Sequence, residues 1–330
     1  EEVVAEAQRK KANLIISHHA LIFTPLKTLT TENRIRKLFI AMTKANIALL
    51  SAHTNLDFTH DGVSFALAER LGLKKVQVLI PQEHALKKIV VFVPVDYVDT
   101  VMQAMSKAGA GAIGNYDSCS FQLQGSGTFR GLKGSNPFIG QRPLRHSAGT
   151  MERVEEIRLE MIVYTWKLKS VLEALKESHP YEEVAYDVYN LENEANQYGA
   201  GAIGELETPM KLEQFLQQVK ERLQVPALRF TNNLKSKIKR VAVCGGSGSQ
   251  IVSSAIDAGA DAFVTADIKY HTFQDAEKRI ALIDAGHFET EVPIVKKLTS
   301  YLKEQLQLNK EHIPVIASTT MTNPVHYYYS

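Results

Sequence analysis

Cysteine is scarce in this 330-residue chain, which has only Cys119 and Cys244, far apart and outside any CxxC spacing. A disulfide framework, or a zinc site built from thiolates, needs more cysteines at closer spacing. The sequence therefore excludes both classes of site. We expect the two cysteines to be free, buried thiols in a reducing compartment.

An excess of charge of one sign is also missing, because 38 Lys and Arg residues face 36 Asp and Glu residues. A net charge of +2 gives no broad basic surface, and we expect no nucleic-acid partner. No apolar run approaches the ~18 residues of a membrane helix, and no secretory leader is visible. A hydrophobic content of 45% is ordinary for a globular protein. These properties predict a cytoplasmic protein of about two domains.

Both ends of the chain alternate between apolar strands and amphipathic helices. Strands are predicted at residues 13–17 and 47–51, and helical periodicity covers 31–46 and 63–71. This alternation is typical of an α/β domain with a mostly parallel sheet covered on both faces. The chain opens in helical register without an initiator Met, and we expect a further strand to precede it in a longer chain.

The middle of the chain follows a different order. A strand, a helix and a strand follow one another from Lys88, and the same order returns from Arg158. Two such βαβ units in tandem predict a ferredoxin-like α+β domain. We therefore place an inserted domain at residues 87–198, between the two parts of the α/β domain at 1–86 and 199–330.

The α/β domain is predicted to be an internal duplication. Residues 12–17 (ANLIIS) resemble residues 260–265 (ADAFVT), and each segment follows a predicted helix. If the two parts form one domain, polar residues on either side of the insert come together on folding.

Three histidine-bearing segments follow predicted buried strands, where open α/β sheets gather their ligand-binding groups. They are Ser17-His18-His19, His53-Thr54-Asn55-Leu56-Asp57 and His287-Phe288-Glu289-Thr290-Glu291. Imidazoles mixed with carboxylates suit divalent zinc, iron or manganese. The adjacent pair His18-His19, taken alone, fits a core or capping histidine equally well.

The ligand count predicts more than one ion. His53 and Asp57 are four residues apart, as are His287 and Glu291, and one helical turn would put each pair on one face. With the His18-His19 pair they offer six N/O ligands, more than one tetrahedral ion needs. We predict a dinuclear centre with a bridging carboxylate and an open water position. Glu289 ranks below Glu291 as a ligand.

Two neighbouring segments have alternative interpretations. Asp267 and His271 are four residues apart, and they would orient ligands, act in acid–base chemistry, or form a surface turn capped by Asp267. Residues 245–249 (GGSGS) join a strand to a helix, so their N–H groups would hold an anion or form a tight turn under the metal site. They lack both the GxGxxG spacing and a P-loop lysine.

One segment of the insert is also distinctive. His179-Pro180-Tyr181-Glu182-Glu183 joins a predicted helix to a strand through a turn fixed by proline. Its polar groups would cap that helix, or His179 and the two glutamates would bind a metal. A lone histidine in a turn favours the capping interpretation.

Seven segments carry a resemblance to a known family. They are Ser17-His18-His19 with Leu21-Ile22-Phe23, Ser51-Ala52-His53-Thr54-Asn55-Leu56-Asp57, Asp267-Ile268-Lys269-Tyr270-His271, Asp284-Ala285-Gly286-His287-Phe288-Glu289-Thr290-Glu291, Ile113-Gly114-Asn115-Tyr116-Asp117-Ser118-Cys119, Gly127-Thr128-Phe129 and His179-Pro180-Tyr181-Glu182-Glu183. With them the chain resembles the GTP cyclohydrolase 1 type 2 homologue family, the YbgI/YqfO-like dinuclear metal proteins. The insert resembles the PII/CutA-like domain of the longer bacterial members. Ala20 departs from the family, which usually has Pro after the histidine pair.

The resemblance implies a ligand set and an assembly. The ligands would be five side chains that hold two divalent ions per subunit, with His53 close by: His18, His19, Asp57, His287 and Glu291. Zinc is the expected metal, with iron or manganese as alternatives. The family also implies a homohexameric toroid with its metal sites facing an internal cavity, and PII/CutA-like domains commonly form trimers.

Three functions are compatible with these expectations. The first is a metal-dependent hydrolase that opens a purine ring such as that of GTP, with a metal-activated water and with His53 or His271 moving protons. The second is a metal-storing or regulatory scaffold whose insert senses a small molecule. The third is an adaptor in which the metals are structural. The substrate is not identified, because no residues that recognise guanine can be named.

Overall fold

The computed structural model describes residues 1–140, 149–232 and 237–328. The chain forms two compact units: Glu1–Pro81 with Asn196–Ser330, and Gln82–Ala195. Within the described ranges, no helix combines the length and apolar character that crossing a membrane requires.

The first unit begins with two parallel strands between helices. Its elements in chain order are α1 (Glu2–Arg9), β1 (Leu14–Ser17), α2 (Arg34–Lys44), β2 (Ala48–Ser51), α3 (Thr54–Asp57), α4 (Val63–Arg70) and β3 (Lys74–Gln82). β1 and β2 pair in parallel, and the hydroxyls of Ser17 and Ser51 lie 3.1 Å apart at their ends. Because both strands end at this edge, the histidines that follow them leave the sheet side by side.

The second unit is a four-stranded sheet with helices on one face. Its elements are β4 (Leu86–Pro94), α5 (Val98–Lys107), β5 (Phe121–Arg130), β6 (Met151–Tyr164), α6 (Leu168–Ser178) and β7 (Tyr186–Asn190). The sheet order is β5-β6-β4-β7, and every pair is antiparallel. Val101 and Met105 of α5 and Val171 and Leu175 of α6 are buried at equivalent positions of the two helices.

Residues 125–149 are rich in Gly, Ser, Pro and Arg, a composition that predicts a long hairpin or loop, and part of this segment is strand. β5 continues to Arg130, because its residues pair with β6 as far as Met151. The remainder of that prediction includes residues 141–148, which lie outside the described residues.

After the second unit, the chain returns to the first unit and adds five strands, which form a six-stranded sheet together with β3, and the helices around them. The elements are β8 (Ala195–Met210), α7 (Leu212–Leu223), β9 (Arg229–Phe230), β10 (Ile238–Ser247), α8 (Val252–Asp257), β11 (Ala262–Ala266), α9 (Tyr270–Ala276), β12 (Ala281–Asp284), α10 (His287–Glu291) and α11 (Pro293–Leu308). The sheet order is β3-β8-β10-β11-β12-β9. Successive residues of β11, such as Phe263 and Val264, enter opposite apolar cores, so these strands are buried on both faces.

The prediction of a mostly parallel sheet is wrong for these six strands, which form a mixed sheet. β10, β11 and β12 pair in parallel, whereas β8 is antiparallel to β10 and β9 is antiparallel to β12. The sequence reading missed β8, whose glycines resemble those of a loop. At Gly204 an added Cβ would lie 2.9 Å from the carbonyl oxygen of Lys74, so this glycine permits a close approach of two backbones.

Candidate metal centre

His18 follows β1 and presents one free ring nitrogen to the centre. Its Nδ1 lies 2.7 Å from the carbonyl oxygen of Ala52, and because a carbonyl can only accept, Nδ1 is the protonated donor. Nε2 is buried without a hydrogen-bond partner, at 3.4 Å from Asp57 Oδ1 and 3.6 Å from Glu291 Oε1. A histidine held by a backbone carbonyl, with its other nitrogen unpaired beside carboxylates, has the arrangement of a metal ligand.

The segment after β2 adds a second histidine and a carboxylate. His53 immediately precedes α3, and Asp57 is the last residue of that one-turn helix. The His53 ring lies 5.1 Å from that of His18 and 5.2 Å from that of His19. His18, His53 and Asp57 each offer one ligand atom, and these three atoms lie within 4.8 Å of one another. They are therefore close enough to share an ion.

Glu291 on α10 joins the histidines from both ends of the chain. Its Oε2 lies 2.8 Å from His19 Nε2, and its Oε1 lies 2.9 Å from His287 Nε2. His18, His19 and Glu291 form a second group of ligand atoms within 4.8 Å, so His18 belongs to both groups. Two overlapping triads give a donor set that suits two adjacent ions better than one.

Asp267 orients His287. Its Oδ2 lies 2.7 Å from His287 Nδ1, which leaves Nε2 directed toward Glu291, buried and without a hydrogen-bond partner. Asp267 has a left-handed backbone, with φ of 56°, at the end of β11. This supports the interpretation of Asp267 as an orienting group. Its predicted partner His271 contacts the Tyr270 ring instead, at 5.6 Å between centroids.

The protonation of the centre reflects these contacts. Glu291 and then Asp267 raise the pKa of His287 to about 9, against the opposing effect of burial. Burial would raise the pKa of Glu291, but its neighbours His18, His287 and His19 hold that pKa well below the usual range. Burial raises the pKa of Asp57 against the opposing effect of His18, and further positive charge nearby would lower that pKa. Divalent cations would supply that charge.

Replacing Asp267 by Asn should weaken zinc binding by ~10–100-fold, the usual cost of losing the partner that orients a metal-bound histidine. The measurement is competition for zinc against a chelator of known affinity. Asp257→Asn makes the same chemical change at an exposed residue of α8 and should leave the affinity unchanged. Equal affinities for both variants would show that Asp267 has no role in the centre.

Residues 245–249, the glycine turn, comprise the irregular end of β10 and the two residues that follow it, and they pack against Glu291 and His287 of the centre. The Gly246 N–H donates to Thr290 Oγ1 at 3.0 Å, and the Gly248 N–H donates to Thr265 Oγ1 at 2.9 Å. Because side-chain hydroxyls already occupy these donors, the turn does not hold an anion through them. Gly246 has φ of 63°, and an added Cβ there would collide with Glu291 Oε1 and lie 3.3 Å from His287 Cε1.

Two other sequence candidates have structural partners. Glu289 is buried and accepts a hydrogen bond from Asn323 Nδ2 at 2.8 Å, in agreement with its lower rank as a ligand. His179 uses both ring nitrogens, one at 3.0 Å from the Phe92 carbonyl oxygen and the other accepting from the Tyr181 N–H at 3.1 Å. Only the backbone N–H of His179 caps α6, through the Leu175 carbonyl oxygen, whereas its side chain ties the turn to β4 rather than capping the helix. The sequence reading missed Thr265 and Thr290, because nothing in their spacing marks a hydroxyl that holds a glycine turn.

Comparison with known proteins identifies the family of this chain. The sequence profile of Duf34/NIF3 (NGG1p interacting factor 3) matches residues 1–324. The chain belongs to the Duf34/NIF3 family. A relative from Halalkalibacterium halodurans named GTP cyclohydrolase 1 type 2 homolog is 40% identical over 98% of this chain and 86% of that protein. A Bacillus subtilis relative of the same name is 39% identical with the same coverage. The predicted resemblance to that family is confirmed.

Solved structures of Duf34/NIF3 relatives share the fold. A Bacillus cereus protein related to NIF3 superimposes with a TM-score of 0.81 at 40% identity, over 99% of this chain and 86% of that one. A Staphylococcus aureus protein superimposes with a TM-score of 0.73 at 31% identity, over 99% of this chain and 85% of that one. The mixed α/β architecture is therefore that of known family members.

Proposed function

We propose that this chain is a dinuclear metal-dependent hydrolase that opens a purine ring such as that of GTP. Two divalent ions would be held by His18, His19, Asp57, His287 and Glu291. The observation that carries the proposal is that two buried imidazole nitrogens, His18 Nε2 and His287 Nε2, both face Glu291 Oε1, at 3.6 Å and 2.9 Å. When bound, such ions lower the pKa of a coordinated water and polarise the bond that it attacks.

The metal identity follows from the ligand types. Imidazole nitrogens with a few carboxylate oxygens suit zinc, with iron and manganese as the alternatives. Thiolates play no part in the two described ligand groups, which contain histidine, Asp57 and Glu291. Zinc is therefore the proposed native ion.

The charge of the loaded site favours an anionic substrate. Two divalent ions carry four positive charges, whereas the two ligand carboxylates, Asp57 and Glu291, return two negative charges. The residual positive charge would attract a phosphate-bearing molecule and stabilise hydroxide. A nucleoside triphosphate has this chemistry, and the names of the curated relatives support GTP as the first substrate to test.

The residues around the ions have separate tasks. Asp267 and the Ala52 carbonyl hold His287 and His18 in fixed orientations. His53, whose ring centroid lies 5.1 Å from that of His18 and 5.2 Å from that of His19, would take a proton from the attacking water and return it to the opened ring. His271, which lies beside Tyr270, is the second candidate for proton transfer.

Turnover of GTP by zinc-loaded protein tests this function. The loaded chain should yield a ring-opened product, which is detected by the loss of purine absorbance. Metal-stripped protein should give none, and His53→Ala, compared at equal zinc content because His53 belongs to one of the two ligand groups, should lower kcat by ~10²–10⁴-fold. No metal-dependent product from GTP or other purine nucleotides, with two ions bound per chain, would overturn the hydrolase proposal and favour the scaffold.

We further propose the assembly and location that the resemblance implies. The chain would form a cytoplasmic homohexamer built from trimers, with the second unit acting as the PII/CutA-like insert. The βαββαβ order and antiparallel sheet of that unit support a ferredoxin-like assignment. The similar segments at residues 12–17 and 260–265, each of which enters a strand after a helix (β1 after α1, β11 after α8), support the proposed duplication.

A further inference from the structure

A large cavity lies on the face of the second unit's sheet that the helices leave uncovered. Its volume is about 680 Å³, within the ~300–1,000 Å³ range of small-molecule sites. Two segments that the metal centre does not use both line it: residues 127–129 (GTF) and the turn at 181–183 (YEE). The residues that we propose as metal ligands do not line this cavity.

Glycines of β5 make the floor of the cavity deep. Gly125 pairs with Glu156 of β6 and Gly127 pairs with Val154. The two glycines therefore lie on the same face of the sheet as Glu156, the face that the cavity occupies. An added Cβ at Gly125 would meet no atom within 4 Å, which shows open space above the strand. Phe92 and Leu123 provide apolar surface beside that opening.

The segment after β5 forms a roof. The Asn136 N–H donates to Glu182 Oε1 at 2.8 Å, and this bond ties the segment to the turn after α6. The Phe138 ring lies 6.3 Å from the Tyr181 ring and 5.5 Å from the Tyr97 ring. Apolar side chains therefore enclose the cavity from above as well as from below.

Carboxylates outnumber arginines among the described residues that line the cavity. The carboxylates are those of Glu156, Glu182 and Glu183, and the arginines are Arg130 and Arg158. One of these, Arg158, is already paired through its Nε with Glu160 at 2.8 Å. The cavity thus has an excess of carboxylate acceptors.

Glu156 is the best-placed acceptor. Tyr181 donates to its Oε1 at 3.0 Å, and Tyr181 is its one hydrogen-bond donor among the described residues. Its Oε2 lies over the open side of Gly127, where an added Cβ would collide with it. This oxygen can accept from a molecule in the cavity.

We propose that this cavity is a binding site for a small organic cation, a flat aromatic body that carries a protonated amine. The aromatic part would pack between Phe92, Leu123 and Phe138, and the amine would donate to Glu156. An apolar enclosure with one placed acceptor is the usual composition of a small-molecule site. The carboxylate excess favours a cation over an anion of the same shape.

Three indoles of similar size and different charge test the proposal on the intact 330-residue chain. Tryptamine is a cation, 3-methylindole is neutral and indole-3-acetate is an anion at neutral pH. Ligand-observed NMR titration should give tryptamine the highest affinity and indole-3-acetate the lowest. Glu156→Gln should weaken tryptamine by about tenfold, the order expected for one charge-assisted hydrogen bond, and leave 3-methylindole unchanged.

A filled cavity provides the second arm of the test. Gly125→Leu places a side chain in the open space and should abolish binding of tryptamine and of 3-methylindole. Gln122→Leu places the same leucine side chain on the opposite face of β5, where Gln122 contacts Met102 of α5, and should leave both affinities unchanged. Circular dichroism of both variants shows whether they are folded.

Three results would overturn the proposal. Tryptamine binding that is unaffected by Gly125→Leu in a folded chain would place the probe elsewhere. Equal or tighter binding of indole-3-acetate would contradict the charge argument. Absence of tryptamine binding, together with a change of oligomeric state in Gly125→Leu, would show that another copy of the chain covers this face.

Discussion

Replacement of Glu291 by Gln is expected to remove most of the bound metal. The Glu291 carboxylate lies 2.8 Å from His19 and 2.9 Å from His287, and the amide of Gln keeps the shape but loses the charge and one acceptor. Loss of an outer partner alone costs ~10–100-fold in metal affinity, so loss of a shared ligand should cost on the order of 100-fold or more. Zinc per chain after dialysis, measured by plasma mass spectrometry, checks this.

Glu289→Gln provides the matched control on the same helix. Glu289 is two residues away, is also buried, and accepts from Asn323 rather than contacting the histidines. This variant should retain wild-type zinc content, even if its stability falls. If Glu291→Gln kept its zinc, or if both variants lost it equally, the carboxylate of Glu291 would not be the ligand that connects the two ends of the chain.

Alanine at Gly246 is expected to abolish zinc binding without removing any ligand. The new Cβ would collide with Glu291 Oε1, so the flexible carboxylate would have to turn away from the histidines. The left-handed φ of 63° adds a backbone cost of roughly 1–2 kcal/mol in an L-residue. Urea unfolding of the metal-free chain, together with zinc content, separates the backbone cost from the loss of the site.

Gly259→Ala isolates the backbone contribution. Gly259 has a similar φ of 74°, but an added Cβ there would have no neighbour within 4 Å. It should lose a comparable free energy of unfolding and keep its zinc. A Gly246→Ala chain that bound zinc normally would contradict the close packing of the turn against Glu291.

Much of the local structure follows from the sequence. The helix predicted to follow the strand that begins at Arg158 is α6, Leu168–Ser178, and its apolar spacing marks the buried stripe at Val171 and Leu175. The i,i+4 pair His287 and Glu291 lies on one helix, α10, and the paired atoms are 2.9 Å apart. Short-range periodicity was sufficient for these elements, since each depends on neighbours within one or two turns.

The 16-residue strand β8 could not be predicted in the same way. Its glycines, such as Gly199 and Gly204, resemble turn residues when seen alone, but they lie where β3 approaches closely. Pairing with β10, about 40 residues further along the chain, forms the strand. Local propensity has no information about such a partner, and for that reason the mixed character of the sheet was missed.

The sequence by itself determined the family and the kinds of ligand that the chain offers, because these depend on residue types and short spacings. The tertiary structure decided which ligands meet: His19 and Glu291 are 272 positions apart and come within 2.8 Å. It also decided that Ala52 and Asp267 hold the Nδ1 atoms of His18 and His287, so that their Nε2 atoms face the centre. The glycine turn at residues 245–249 packs against Glu291. These outcomes depend on hydrogen-bond partners and packing from distant segments, and only the folded chain brings those segments together.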